Sequence, residues 1–86
     1  MKLIYSNYFR KRLAKRLKND SKLRSQVSKQ LKLLEFGFDY PSLKTHKLKG
    51  SHTNEYAIWI TGDLRITLVL VKEGLLLTDI IKHDEY

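Results

Sequence analysis

The chain has 86 residues, 42% of them hydrophobic, no cysteine and a formal net charge of +8. That length holds one domain with a modest core, with room for one sheet and a pair of helices, and it excludes a two-domain enzyme. The lack of cysteine excludes disulfides, cysteine-ligated zinc and a thiol nucleophile.

The sequence therefore reads as a single domain over residues 1–86, with no internal repeat. No apolar run has the length of a signal-peptide core or a bilayer span. The expectation is a soluble, cytoplasmic protein with no membrane partner.

In chain order, the apolar run KLIYS at 2–6 predicts a first strand, and Ser6 or Asn7 offers a helix cap after it. Phe9, Leu13 and Leu17 then recur every four residues, one stripe of a helix. KNDS at 18–21 breaks it, and Asp20 or Ser21 starts a second helix with the stripe Leu23, Val27, Leu31 and Leu34. Two such helices joined by a short turn make a helical hairpin.

The charge is concentrated there. Residues 1–34 carry eleven Lys and Arg against one acid, Asp20, a net +10; residues 35–86 carry six against eight acids, a net −2. A basic half of this density attracts polyphosphate or an acidic protein. Anionic lipid and an ordinary solvated face are the competing readings, and the narrow apolar stripes suit a sheet better than a membrane.

Residues 35–54 read as a connector punctuated by Gly37, Pro41 and Gly50, with Pro41 driving Tyr40 out of helical geometry. Three strands follow at 55–61, 64–71 and 75–81, linked by TGD and KEG turns. Alternation places Tyr56 and Trp59 on opposite faces. The order β-α-α-β-β-β predicts an α+β fold: a twisted, mostly antiparallel sheet with the helical hairpin on one face and the other face free.

The residues able to do chemistry gather in the connector and at strand ends. They are Lys44, His46, Lys47, Lys49, His52, Asp63, Arg65, Lys82, His83, Asp84 and Tyr86. No glycine spacing cradles phosphates, and His46 with His52 lacks a third ligand, so no metal and no other cofactor is predicted.

This set suits RNA cleavage by the strand's own 2′-OH. That reaction needs a base, an acid and cations around the phosphorane. Histidine, with an ordinary pKa near ~6.5, serves as acid or base. Arginine holds two phosphate oxygens in its planar fork. An open sheet face with aromatic side chains is a platform for single-stranded RNA.

Taken singly, each residue has a plainer reading. His46 is a surface histidine, Arg65 pairs with Asp63 across a turn, His83 belongs to a solvated tail, and Trp59 packs on the sheet. The set gains weight because, in an antiparallel meander, the start of 64–71 lies near the end of 75–81, which makes Arg65 and His83 neighbours.

HKLKG at 46–50, Tyr56, DLR at 63–65, the terminal HDEY and the basic helical hairpin together resemble the RelE/ParE superfamily of bacterial toxins. Within it the chain looks like the YafQ- and YoeB-like messenger RNA interferases. The resemblance implies a RelE-like fold and a ribosome-dependent endoribonuclease that cuts mRNA in the A site. It implies a cognate antitoxin, the ribosome and mRNA as partners. It also implies His46, Asp63, Arg65 and His83 as catalytic residues, with Lys44, Lys47, Lys49 and Tyr86 contacting RNA.

Two positions depart from the family's pattern. Trp59 stands where some YafQ-like members carry a histidine, and Ile80-Ile81-Lys82-His83 replaces the common Ile-Gly-x-His. The general base is left open between His46 and Asp63. Two further functions stay open: a ParE-like gyrase inhibitor without nuclease activity, and a relative that only binds RNA or an antitoxin.

Overall fold

Side chains of Ser6 and Asp20 decide where the two helices begin. In the computed structural model, which describes residues 1–48 and 54–83, Ser6 Oγ accepts from the Phe9 amide at 3.0 Å. Asp20 Oδ1 accepts from the Leu23 amide at 2.9 Å. Each supplies one of the donors that a helix start leaves unpaired with its acceptor. The elements are β1 (Leu3–Tyr5), α1 (Asn7–Leu17), α2 (Ser21–Phe36), a 3-10 turn (Pro41–Leu43), β2 (His46–Lys47), β3 (Glu55–Trp59), β4 (Leu64–Val71) and β5 (Gly74–Lys82).

The five strands form one sheet in the order β1-β5-β4-β3-β2. β1 runs parallel to β5, and the remaining pairs are antiparallel. The expected β-α-α-β-β-β order and mostly antiparallel sheet are therefore present, with two differences. The connector contributes a two-residue edge strand, β2, and a 3-10 turn. The strand predicted at 55–61 ends at Trp59, because Ile60 and Thr61 already bond back to the Leu64 carbonyl and close the turn.

The helices cover one face of the sheet. Phe9 of α1 and Val27, Leu31 and Leu34 of α2 meet Ile58, Ile66, Leu68, Leu75, Leu77 and Ile80 in one buried cluster. Both predicted stripes therefore point inward, and burial of these side chains is what drives the helices onto the sheet.

Two local features shape β5. Thr67 pairs with Asp79 and Leu68 with Leu77, so Thr78 is the extra residue of a bulge. Its hydroxyl meets that of Thr67 at 2.8 Å. Beside it, Arg12 Nε donates to Asp79 Oδ1 at 2.7 Å and Arg12 Nη2 to the Ile80 carbonyl at 3.2 Å, which pins α1 to the strand. Among the described residues no helix is long and apolar enough to cross a membrane.

Candidate functional site

The face away from the helices carries the candidate residues. Ile58, Ile66 and Ile80 point into the core, so alternation turns Trp59, Arg65 and Ile81 outward. Trp59 pairs with Arg65, and Arg65 with Ile81. At the end of this row the His83 amide donates to the Asp63 carbonyl at 2.7 Å. Asp63 and His83 therefore flank the ends of β4 and β5, with Arg65 beside them in β4.

The β3–β4 turn that presents Asp63 is internally braced. Thr61 Oγ1 accepts from the amides of Asp63, at 3.2 Å, and Leu64, at 3.1 Å. Arg65 Nη1 donates to the carbonyls of Thr61, at 2.7 Å, and Leu64, at 3.0 Å. Arg65 thus anchors the hairpin backbone rather than pairing with the Asp63 carboxylate. These bonds engage one guanidinium nitrogen and hold the planar fork in place at the end of the sheet. A groove of about 540 Å³ opens between the start of α2 and this turn, with Asp63 and Trp59 on its wall.

His46 lies at the other side of the sheet. It pairs with Ala57 in β3, and Ala57 pairs with Thr67. That is three strands across and four residues along from His83. At ~4.8 Å between strands and ~3.4 Å per residue, the two Cα atoms stand roughly 20 Å apart. The structure joins Asp63, Arg65 and His83 and leaves His46 separate from them.

His46 is exposed, and its Nδ1 lies 3.3 Å from the Lys44 carbonyl. A carbonyl only accepts, so this contact puts the hydrogen on Nδ1. Lys44 itself bridges toward the open face: its Nζ lies 5.3 Å from the centre of the Trp59 ring, a cation–π distance. It does so from a left-handed backbone conformation, φ 45° and ψ 45°, at the end of the 3-10 turn. Lys47 pairs with Tyr56, whose ring packs against the core, so Lys47 alternates away from the open face. Lys82 pairs with Leu64 at the end of β5. Lys49, His52, Asp84 and Tyr86 lie outside the described residues.

Two residues that support the site were not among the sequence candidates. β2 is too short to pair with the end of β3, which leaves edge carbonyls to satisfy. Gln30, only 1% exposed, donates from Nε2 to the carbonyls of Trp59 at 2.8 Å and Ser42 at 3.1 Å. One turn earlier Gln26 Nε2 donates to the Ile60 carbonyl at 2.9 Å. The available signal was two glutamines four residues apart, flanking the buried stripe of α2. Among the described residues no three or more His, Asp or Glu come together as metal ligands.

No protein-family model matches the sequence, and no curated protein matches it. Solved structures do. A YoeB/ParE toxin from Agrobacterium tumefaciens superposes with a TM-score of 0.78 at 16% identity, covering 96% of this chain and 99% of its own. YafQ in the E. coli DinJ-YafQ toxin-antitoxin complex gives 0.78 at 20% identity, over 95% and 91%. A metal-bound toxin from Helicobacter pylori gives 0.71 at 27% identity, over 99% and 97%. Near-complete coverage in both directions, at identities this low, locates the likeness in the arrangement of helices and strands: the chain has the fold of the RelE/YoeB/YafQ-like toxins.

Proposed function

We propose that this chain is the toxin of a type II toxin–antitoxin pair and that it cleaves messenger RNA in the ribosomal A site. The observation that carries the reading is the junction of Asp63, Arg65 and His83 at one end of the open face, in a toxin fold. The +10 helical half supports it by offering a surface for ribosomal RNA on the opposite side of the sheet. An antitoxin with an acidic segment is the cognate partner, and the cytoplasm is the place of action.

The reaction is an in-line attack. The 2′-oxygen bonds to the adjacent phosphorus, and its proton passes to the Asp63 carboxylate. The P–O5′ bond breaks, and His83 in its protonated form gives its proton to the leaving 5′-oxygen. A 2′,3′-cyclic phosphate and a free 5′-hydroxyl result, and exchange with water resets both side chains. Arg65 faces the charge that gathers on the phosphorane, and Lys44 draws in the neighbouring phosphate. His46, roughly 20 Å from His83 by strand geometry, contacts the flanking RNA rather than the same phosphate. Asp63 is therefore the preferred base.

The test is induced expression with mapping of 5′ ends on an abundant transcript. Wild type is expected to create new ends within reading frames. His83→Ala and Asp63→Asn are each expected to reduce them by about 10²–10⁴-fold, the usual worth of a general acid or base. Undiminished cleavage in both variants would overturn the assignment. Growth arrest without new ends, together with inhibited supercoiling by purified gyrase, would replace the nuclease by a binder of gyrase.

A further inference from the structure

Beside β2, on the edge of the sheet, lies a second cavity of about 380 Å³, within the ~300–1,000 Å³ typical of ligand pockets. Its walls are aromatic and cationic. Phe38 and Tyr56 meet there with ring centres 5.3 Å apart and planes tilted by 49°. Tyr40 stands on the same wall and is 42% exposed. Pro41, next in the chain, keeps Tyr40 in extended geometry, φ −63° and ψ 129°.

Lys44 and Lys47 flank the rings, and Asp39 lies beside them. Thr45 also belongs to the wall, and its hydroxyl is buried with no hydrogen-bond partner among the described residues. A buried hydroxyl without a partner is costly unless something supplies one.

We infer that this pocket receives a nucleobase of single-stranded RNA, a subsite for a nucleotide flanking the one that is cut. The inference rests on the RNA reading above and extends it to a part of the surface, with His46 on its wall, that Asp63, Arg65 and His83 do not reach. The base stacks on Tyr40, since every base has an apolar face that an aromatic ring can cover. The carboxylate of Asp39 accepts from the base's amino group, and the Thr45 hydroxyl pairs with its polar edge.

Lys47 and Lys44 hold the phosphates on either side. Lys44 reaches Trp59 as well, so the strand leaving the pocket passes over Lys44 onto the open face and toward Arg65. An aliphatic ligand would leave the lysines and Asp39 unused, and a free phosphate would leave the three rings unused. A nucleotide uses both.

The experiment uses the purified chain and a short single-stranded RNA with 2′-O-methyl riboses, which the attack cannot cleave. One 2-aminopurine is placed at each position in turn. Wild type is expected to quench the fluorophore saturably at one position. Tyr40→Ala is expected to weaken that response by about tenfold or more, in line with the loss of one stacked base, and Tyr40→Phe to restore it. Tyr40 lies outside the buried core, so the thermal transition of Tyr40→Ala should match wild type.

Equal quenching by wild type and Tyr40→Ala, or no quenching at any position, would overturn the inference. Neither result touches the transcript-cleavage assay with His83→Ala, which stands or falls separately. Position-specific quenching without any cleavage would keep the pocket and remove the nuclease.

Discussion

Asp63 and His83 sit at the end of a ladder that pairs β4 with β5 from Val71↔Gly74 to Leu64↔Lys82. His46 and its lysine neighbours sit on a strand with two pairings, His46↔Ala57 and Lys47↔Tyr56. The first group is placed by backbone register, the second by side chains: Gln30 across to Ser42 and Trp59, and Lys44 over Trp59. A long ladder fixes its members relative to one another at every residue, whereas a two-residue strand needs outside support. Groups that must meet one phosphate belong on the first kind of scaffold. A subsite that adapts to different bases tolerates the second.

Gly74→Ala should disturb the long ladder most severely, acting from the end opposite His83. Gly74 has φ +150°, and a Cβ there would stand 2.3 Å from the Lys2 carbonyl oxygen. That same carbonyl accepts from the Leu75 amide at 2.8 Å, so the backbones of β1 and β5 cannot separate without losing a bond. We expect a loss of roughly 3 kcal/mol, the upper end for overpacking, and a Tm lower by about 15 °C in a thermal melt. An unchanged Tm would show that β1 contributes little to holding β5.

Gln30→Leu should separate the two ends. It leaves the Trp59 and Ser42 carbonyls without their donor, at about 1–3 kcal/mol for a buried unsatisfied group. In hydrogen exchange, the Leu48 amide, which bonds the Glu55 carbonyl across β2 and β3, should exchange faster. The His83 amide, bonded to Asp63, should change little beyond the global loss. Equal acceleration at both would mean that the ends are one cooperative unit.

The smallest effect is a control that moves both ends together. Burial, followed by the nearby Glu35, raises the Tyr5 phenol above its ordinary 10.0, and Arg10 lowers it in part. The unfolded phenol therefore ionises first. Its contribution is fully present below the unfolded value and is lost as pH rises through the folded one. Urea midpoints should fall as pH rises through the ordinary 10.0 and beyond, and less so in Tyr5→Phe. An identical fall in both proteins would assign the alkaline loss to other groups.

Much of this arrangement is legible in local sequence. The four-residue spacing of Phe9, Leu13 and Leu17, the cap at Asp20 and the β-branched run at 64–71 each report a preference that a few neighbouring residues decide. Buried stripes and caps act over one or two turns, so reading them needs no knowledge of the rest of the chain. The nearness of Arg65 to His83 follows almost as directly, since a short turn between antiparallel strands brings the start of one beside the end of the next.

The remainder depends on contacts far apart in sequence. His46-Lys47 becomes a strand only because the edge of β3 is available to it, and nothing in HKLKG announces that edge. Gln30 looks like one more polar residue on a helix until folding brings the unpaired carbonyls of Trp59 and Ser42 within reach of its amide. The cradle of Phe38, Tyr40 and Tyr56 joins the connector to a strand across the sheet's edge. Sequence by itself determined the two helices and the longer strands and which residues carry reactive groups, because those are local properties. Which reactive groups come together, and which stand roughly 20 Å off on a side-chain-held edge, was decided by strand order and register, which exist only once the sheet has formed.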